Sequence, residues 1–307
     1  MFSHLLVPLD GSKMAESVLP AVAYLARTLE ARVTLIHVIE QNPPSEVHGE
    51  RHLGNPEEAN AYLAEVSGLP ALSGTAVTFH VHTSRVENVA RSIYEHAGEL
   101  DSDLVVMCTH GRGGLRDVLL GSIAQQVIAL RMTPVLIIHP PENGAELQFV
   151  CQRLLLPLDE QPDHEQSLVV GRNLARACGA SIRLLEVIPT YGTLSGIWTV
   201  TSRLLPRTTS RMLDMSLADA EDYLQNRQLE LETGGLKVTV DVLRGDPATV
   251  IARAAEQFDI DLIVLGTHGK AGTEAFWAGS VASKVCRKCG IPMLLVPVPS
   301  EKSNKSD

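Results

Sequence analysis

The sequence predicts an α/β protein made of two doubly wound parallel sheets, each covered by helices on both faces. Three observations lead there. Short, nearly all-apolar strands alternate with helical stretches through the 307 residues, the order expected of parallel strand–helix–strand units. The whole order of elements then runs a second time. A glycine-rich signature recurs in register near the end of each run, THGRGGLRDVLLGS at 109–122 and THGKAGTEAFWAGS at 267–280.

In the first half, HLLVPL (4–9) is an apolar strand that runs into Asp10-Gly11-Ser12, with a helical stretch following to about Glu30. RVTLIHV (32–38) is rich in β-branched residues and reads as the second strand. A polar insert with Pro43, Pro44 and Gly54 precedes a helix near 56–66. AVTFHV (76–81), a helix at 87–98, DLVVMC (103–108), a helix from Gly121 to Leu130 and PVLII (134–138) complete the run. The second half repeats it as RLLLPLD (153–159), a helix to Cys178, SIRLLEV (181–187) and a long insert with Trp198 and Pro206. A helix near 216–231, KVTVDVL (237–243), a helix at 247–258, DLIVLG (261–266), the helix after Gly279 and PMLLV (292–296) follow. Asp10 and Asp159 are offset by 149 positions, Gly121 and Gly279 by 158; the difference falls in the insert after the second strand, where a surface loop tolerates it. Prolines, a glycine and polar residues cluster in HPPENGAELQ (139–148), which sets the expected domains at 1–141 and 150–299, with SEKSNKSD ending in a disordered tail at 300–307.

Composition narrows the partners. A formal net charge of −10 argues against a general nucleic-acid or anionic-membrane surface. No apolar run approaches the ~18 residues that a membrane span needs. The N-terminus MFSHLLVPLDGS has neither a basic n-region nor a long apolar core, so a cytoplasmic location is expected. Five cysteines in a chain of this size fit a reducing compartment better than a disulfide framework.

The glycine signature carries the chemistry. Backbone N–H groups in the first turn of a helix lack intrahelical partners, so Gly-Ser opening a helix after a strand end leaves donors for an anion. Ser122 or Ser280 adds a hydroxyl, and a side chain at Gly111 or Gly269 would stand between anion and backbone. Arg112 and Lys270 directly follow those glycines and either neutralise phosphate charge or sit as solvated loop cations. In a sheet of order 3-2-1-4-5, strands one and four flank the crevice where the order reverses, the place where such folds bind ligands. Asp10 and Asp159 end their first strands, and the glycine motifs end their fourth. Both features converge on one crevice per domain.

On these residues the chain resembles the universal stress protein family, in tandem and almost end to end. Its ATP-binding members carry G-x2-G-x9-G-[S/T] and an early strand ending in P-x-D. The second half has the full pattern at Gly266, Gly269, Gly279 and Ser280; the first has Cys108 at the first glycine, then Gly111, Gly121 and Ser122. The opening motif reverses this, with VPLDGS intact from Val7 to Ser12 but LPLDEQ in the second half, where Glu160 sets a carboxylate beside the phosphate position. The resemblance implies two Rossmann-like, HUP-type domains, each a five-stranded parallel sheet. It places Pro8, Asp10 and Val38 around an adenosine in the first site, and Pro157, Asp159 and Val187 in the second, with Ile123 and Val281 among the cofactor-binding residues. The cofactor it implies is ATP, with any Mg²⁺ held mostly by phosphates and water. The complete glycine set favours the second crevice for phosphate contact.

The implied role is a regulatory ATP-binding stress protein with slow hydrolysis at most, acting through a protein partner that the residues do not name. A nucleotide-free interaction module is the alternative, to which Cys108 and Glu160 point. An adenylate-handling enzyme finds no support: P-loop, dinucleotide fingerprint and kinase catalytic loop are all missing. By the same resemblance Pro134–Ile138 and Pro292–Val296 pair within the chain as a pseudo-dimer, a homodimer of chains being compatible with it. His110 and His268 hold equivalent motif positions, as phosphate or ribose contacts or as turn histidines bonded to local backbone. His80 and His82 share one strand face without a visible third ligand. Cys286 and Cys289 form a CxxC at a helix C-terminus, where the backbone field disfavours a thiolate.

Overall fold

The computed structural model describes residues 1–43, 45–109, 121–130, 133–140, 148–160, 165–194, 196–267 and 280–298. The nominated Gly111, Arg112, Gly269, Lys270 and Gly279, with His110, His268 and the tail 300–307, lie outside the described residues. The chain divides into two compact units. Of the described residues, the first unit takes 1–150, Thr267 and 292–298, and the second takes 151–266 and 280–291.

The first unit contains β1 (His4–Pro8), α1 (Lys13–Glu16), α2 (Leu19–Leu29), β2 (Arg32–Glu40), β3 (Glu46–Val47), β4 (Glu50–Arg51), α3 (Pro56–Ser67), β5 (Val77–Val86), α4 (Val89–Glu99), β6 (Leu104–Cys108), α5 (Ser122–Leu130) and β7 (Val135–Ile138). Its parallel strands run β5-β2-β1-β6-β7, which is the expected order 3-2-1-4-5. The second unit contains β8 (Arg153–Pro157), α6 (Glu165–Cys178), β9 (Ser181–Ile188), α7 (Ile197–Leu204), α8 (Pro206–Thr233), β10 (Val238–Arg244), α9 (Pro247–Gln257), β11 (Leu262–Thr267) and α10 (Val281–Lys288). Its parallel strands run β10-β9-β8-β11, the same order as far as the fourth strand. The last strand, β12 (Met293–Pro297), lies antiparallel to β7 with Leu294 opposite Leu136, and so covers an edge of the first sheet.

Strand burial explains the apolar runs. Leu5, Leu6 and Val7 of β1 and Leu35 and Ile36 of β2 are wholly buried, because helices close both faces. The helices contribute one apolar face each: Val22, Leu25 and Ala26 in α2, Ile93 and Ala97 in α4, Val250, Ile251 and Ala255 in α9. Side chains cap several of them. The Asn88 carboxamide accepts from the Arg91 amide at 2.8 Å ahead of α4, and the Asp246 carboxylate accepts from the Thr249 amide at 3.0 Å ahead of α9.

The aspartate before each fourth strand has a structural task. The Asp103 carboxylate accepts from Ser3 N (2.8 Å), Ser3 Oγ (2.8 Å) and His4 N (3.0 Å) at the start of β1. Asp261 accepts from Gln152 N (3.0 Å) and Arg153 N (2.8 Å) at the start of β8. Each carboxylate fastens strand four to strand one at the end opposite the crevice. Asp103→Ala, which orphans these donors, is expected to lower stability by about 1–3 kcal/mol in urea unfolding. A loss within error would show that water replaces the carboxylate at no cost.

Two inserts differ from expectation. The first carries a small hairpin, β3–β4, whose turn residues His48 and Gly49 have φ of 51° and 80°, the left-handed pair that a two-residue turn needs. The second is helical: α7 occupies part of it, and α8 begins at Pro206 rather than near 216. Pro206 opens the helix, where a missing N–H costs nothing.

Candidate functional site

The first unit has a cleft at the carboxyl ends of its strands, where β1 and β6 part. Its empty space, the solvent-open mouth included, is about 680 Å³. The sequence-nominated Pro8, Asp10, Val38, Cys108, Gly121 and Ile123 all line it. Ile36, Val89, Ile93, Met107 and Ala124 complete apolar walls, and Glu40, His37, His48 and His52 add polar groups. Ser122 is exposed at the start of α5 and is not among the lining residues.

The loop after β1 is built tightly. The Leu9 amide donates to Ile36 O at 2.9 Å, which keeps the chain beside β2 past the strand end. Asp10 Oδ1 accepts from the Ser12 amide (2.9 Å) and hydroxyl (2.7 Å), and Ser12 Oγ in turn accepts from Ala15 N (3.1 Å) as the cap of α1. Gly11 has φ +96°, and a Cβ there would stand 2.9 Å from the side chain of Leu53, so the Asp-Gly-Ser order follows from local geometry. His37 lies beneath this loop, with Nδ1 2.7 Å from Leu9 O and Nε2 3.3 Å from Leu53 O. Both neighbours are acceptors, and a neutral ring donates to only one of them. Burial lowers its pKa, against the pull of the two carbonyls.

The hairpin insert borders the mouth. His48 Nε2 lies 3.7 Å from Asp10 Oδ2, and His52 Nε2 lies 3.7 Å from Glu40 Oε1. The Lys13 amide donates to the Glu50 carboxylate at 3.2 Å. Gly121 begins α5, its carbonyl accepting from Gln125 N at 2.9 Å. Burial, then the Asp10 charge, push the Cys108 thiol up to about 12, so a neutral, small side chain stands at the first-glycine position.

The second unit repeats the frame. Leu158 N donates to Leu185 O at 2.9 Å, as Leu9 does to Ile36. Pro157 ends β8, Asp159 is half-buried, Glu160 is exposed, Val187 is half-buried on β9 and Gly266 is half-buried on β11. Ser280 caps α10, its hydroxyl accepting from Ser283 N at 3.1 Å, while Val281 is 40% exposed. Glu186 was not singled out in the sequence. It is buried on β9, and burial first, then Glu160 and Asp159, raise its carboxyl to about 7.

Other candidates are also placed. The rings of His80 and His82 each lie 4.9 Å from that of His96 on α4, a third histidine that the sequence did not indicate. Among the described residues no group of His, Cys, Asp and Glu has the geometry to hold a metal ion. Cys286 lies in the last turn of α10 and Cys289 caps it; both are buried, and burial pushes their thiols up to about 12 and about 11. None of the five cysteines is in a disulfide. No helix of the described residues is long and apolar enough to cross a membrane.

An open parallel sheet of order 3-2-1-4-5, with a cleft where its first and fourth strands part, defines a doubly wound α/β protein with a candidate site at its switch point. The model of the universal stress protein family matches residues 1–139 and again 151–297, and the chain belongs to that family. A universal stress protein of Mycolicibacterium smegmatis is 26% identical over 303 residues, covering 95% of this chain and 96% of that one. One from Methanocaldococcus jannaschii is 31% identical over 164 residues, covering 52% of this chain and 88% of its own. The crystal structure of a universal stress protein from Archaeoglobus fulgidus shares the fold, with a TM-score of 0.67 at 17% identity over 95% of this chain and 97% of that one.

Proposed function

We propose that the protein is a regulatory nucleotide-binding protein that takes an adenine nucleotide, ATP foremost, in the cleft of its first unit, with slow hydrolysis at most. The observation that carries this reading is the convergence of Pro8, Asp10, Val38, Cys108, Gly121 and Ile123 on one cleft at the carboxyl ends of the strands. Those positions are widely separated in sequence, and they are the ones the family pattern nominates.

The residues suit such a ligand. Val38, Met107 and Ile123 offer apolar surface to the faces of a purine. The Asp10 carboxylate repels phosphate and suits an amino or hydroxyl group, so the base and sugar belong at its end of the cleft. The amides at the start of α5, beside Gly121, are the donors for phosphate. In the same reading Ser122, Arg112 and Gly111 attend the phosphates of the first site. Pro157, Asp159, Val187, Gly266, Gly269, Lys270, Gly279, Ser280 and Val281 form the second, in domains bounded at 1–141 and 150–299. Any Mg²⁺ is held by phosphate oxygens and water. The protein works in the cytoplasm and passes the occupied state to a protein partner.

Mass analysis of protein purified without added nucleotide, followed by equilibrium titration with ATP, tests the reading. Co-purified adenine nucleotide or saturable binding is the expected result. A protein that carries none and fails to titrate overturns it in favour of the nucleotide-free interaction module; steady, rapid phosphate release overturns the non-enzymatic part.

A further inference from the structure

The two units differ at a buried position on their second strands. Pro8 lies opposite Ile36 in the first unit and Pro157 opposite Leu185 in the second, so the next residues, His37 and Glu186, occupy the same place. His37 lines the first cleft, its two ring nitrogens 2.7 and 3.3 Å from the carbonyl oxygens of Leu9 and Leu53. Glu186 is 6% exposed, and its Oε2 meets no hydrogen-bond partner. An ionised carboxylate so placed pays a desolvation cost that no contact returns.

The surroundings add to that cost. Among the described residues, the charges acting on Glu186 are the carboxylates of Glu160 and Asp159, in the turn after β8. On β10, where Val242 lies opposite Glu186, the neighbouring Asp241 and Arg244 are committed to Arg183 and to Asp214 of α8. Beyond Glu186 on the same strand, Ile188 packs on the apolar Leu213 and Ala220 of α8. Among the described residues, the second unit brings Glu186, Asp159 and Glu160 together at the end of the sheet where the first cleft has Asp10 and Glu40 beside the imidazoles of His37, His48 and His52.

We propose that the second crevice is charge-selective: it takes a nucleoside or a nucleotide of low charge, and admits a triphosphate only with uptake of a proton at Glu186. The inference rests on the nucleotide reading above and deepens it, assigning different ligand charge to the two copies of one fold. The complete glycine set favours phosphate in the second copy, and the buried carboxyl opposes it.

The linkage has a definite sign. A carboxyl raised from its ordinary 4.5 to about 7 in the folded state binds an extra proton between those values. Its contribution to stability is thus fully present at low pH and is lost as pH rises through about 7. A polyanion bound nearby raises the proton affinity further, and proton and polyanion each favour the binding of the other.

Calorimetric titration of the full chain with ATP and with adenosine, at pH 8 and pH 6, tests the proposal, with Val38→Trp used to silence the first cleft. ATP affinity at the second crevice is expected to rise by about tenfold from pH 8 to pH 6, within the limit of tenfold per pH unit that one coupled proton allows. Glu186→Gln is expected to show the higher affinity at both pH values, while adenosine binding stays unchanged throughout. The same variant should melt above the parent at pH 8 and level with it at pH 5. An ATP affinity independent of pH in the parent chain, or untouched by Glu186→Gln, overturns the proposal while the nucleotide reading stands. Should the variant fail to fold, the pH dependence of the parent decides alone. A chain that takes neither ATP nor adenosine at either crevice overturns both.

Discussion

Val38→Trp is expected to abolish nucleotide binding at the first cleft while leaving the fold in place. Val38 is 6% exposed on β2 and forms part of the apolar wall. An indole there occupies the space intended for the base, so a ligand must either expel it or forgo contact with β2. Affinity should fall by about 100-fold or more, which corresponds to about 2.7 kcal/mol. Overpacking a filled core costs about 1–3 kcal/mol, but here the ring enters a cleft that is already open, so the melting temperature should change little. Titration with ATP, set beside circular dichroism, separates the two effects. Undiminished affinity would place the ligand elsewhere.

The second large effect concerns stability. Leu136 lies in β7, 1% exposed, opposite Val106 of β6 and Leu294 of β12. Truncating it to alanine removes apolar contact and leaves a cavity between strands that cannot close without moving their hydrogen bonds. A loss of about 2–5 kcal/mol is expected, read from urea unfolding of the full chain. A loss below about 1 kcal/mol would mean that the seat of β12 on β7 can collapse around the gap.

Much of the fold was legible because buried parallel strands need nearly continuous apolar runs, and HLLVPL, RVTLIHV and DLVVMC have them. The strand order came with the family resemblance, since apolar runs alone do not say which strands are neighbours. Less legible were the inserts. Strands of two residues such as β3 and β4 carry no periodicity, so the hairpin lay hidden in a polar insert marked only by Pro43, Pro44 and Gly54. Pro206 read as a loop residue, although at a helix start it favours the helix. In the site, Pro8, Asp10 and Val38 were found through the family pattern, whereas Glu40, His48 and His52 came from or beside the insert and matched no motif. His37 and Glu186 sit inside apolar strand runs, where a single polar residue does not reveal what it meets. His37 meets carbonyls of two distant loops; Glu186 meets two further carboxylates. Only the register between strands shows that they answer to one another.

The pairing of β12 with β7 bears on how this polypeptide is made. The outer edge of β7 is closed by a strand that leaves the ribosome only after the whole of the second unit has been synthesised. Until then the growing N-terminal half carries a bare row of backbone donors and acceptors, flanked by Leu136 and Ile137, open to any other extended segment. Stalled translation or proteolytic clipping ahead of Met293 would strand the molecule in that state, so C-terminally shortened fragments should gather into aggregates although most of their sheet is intact.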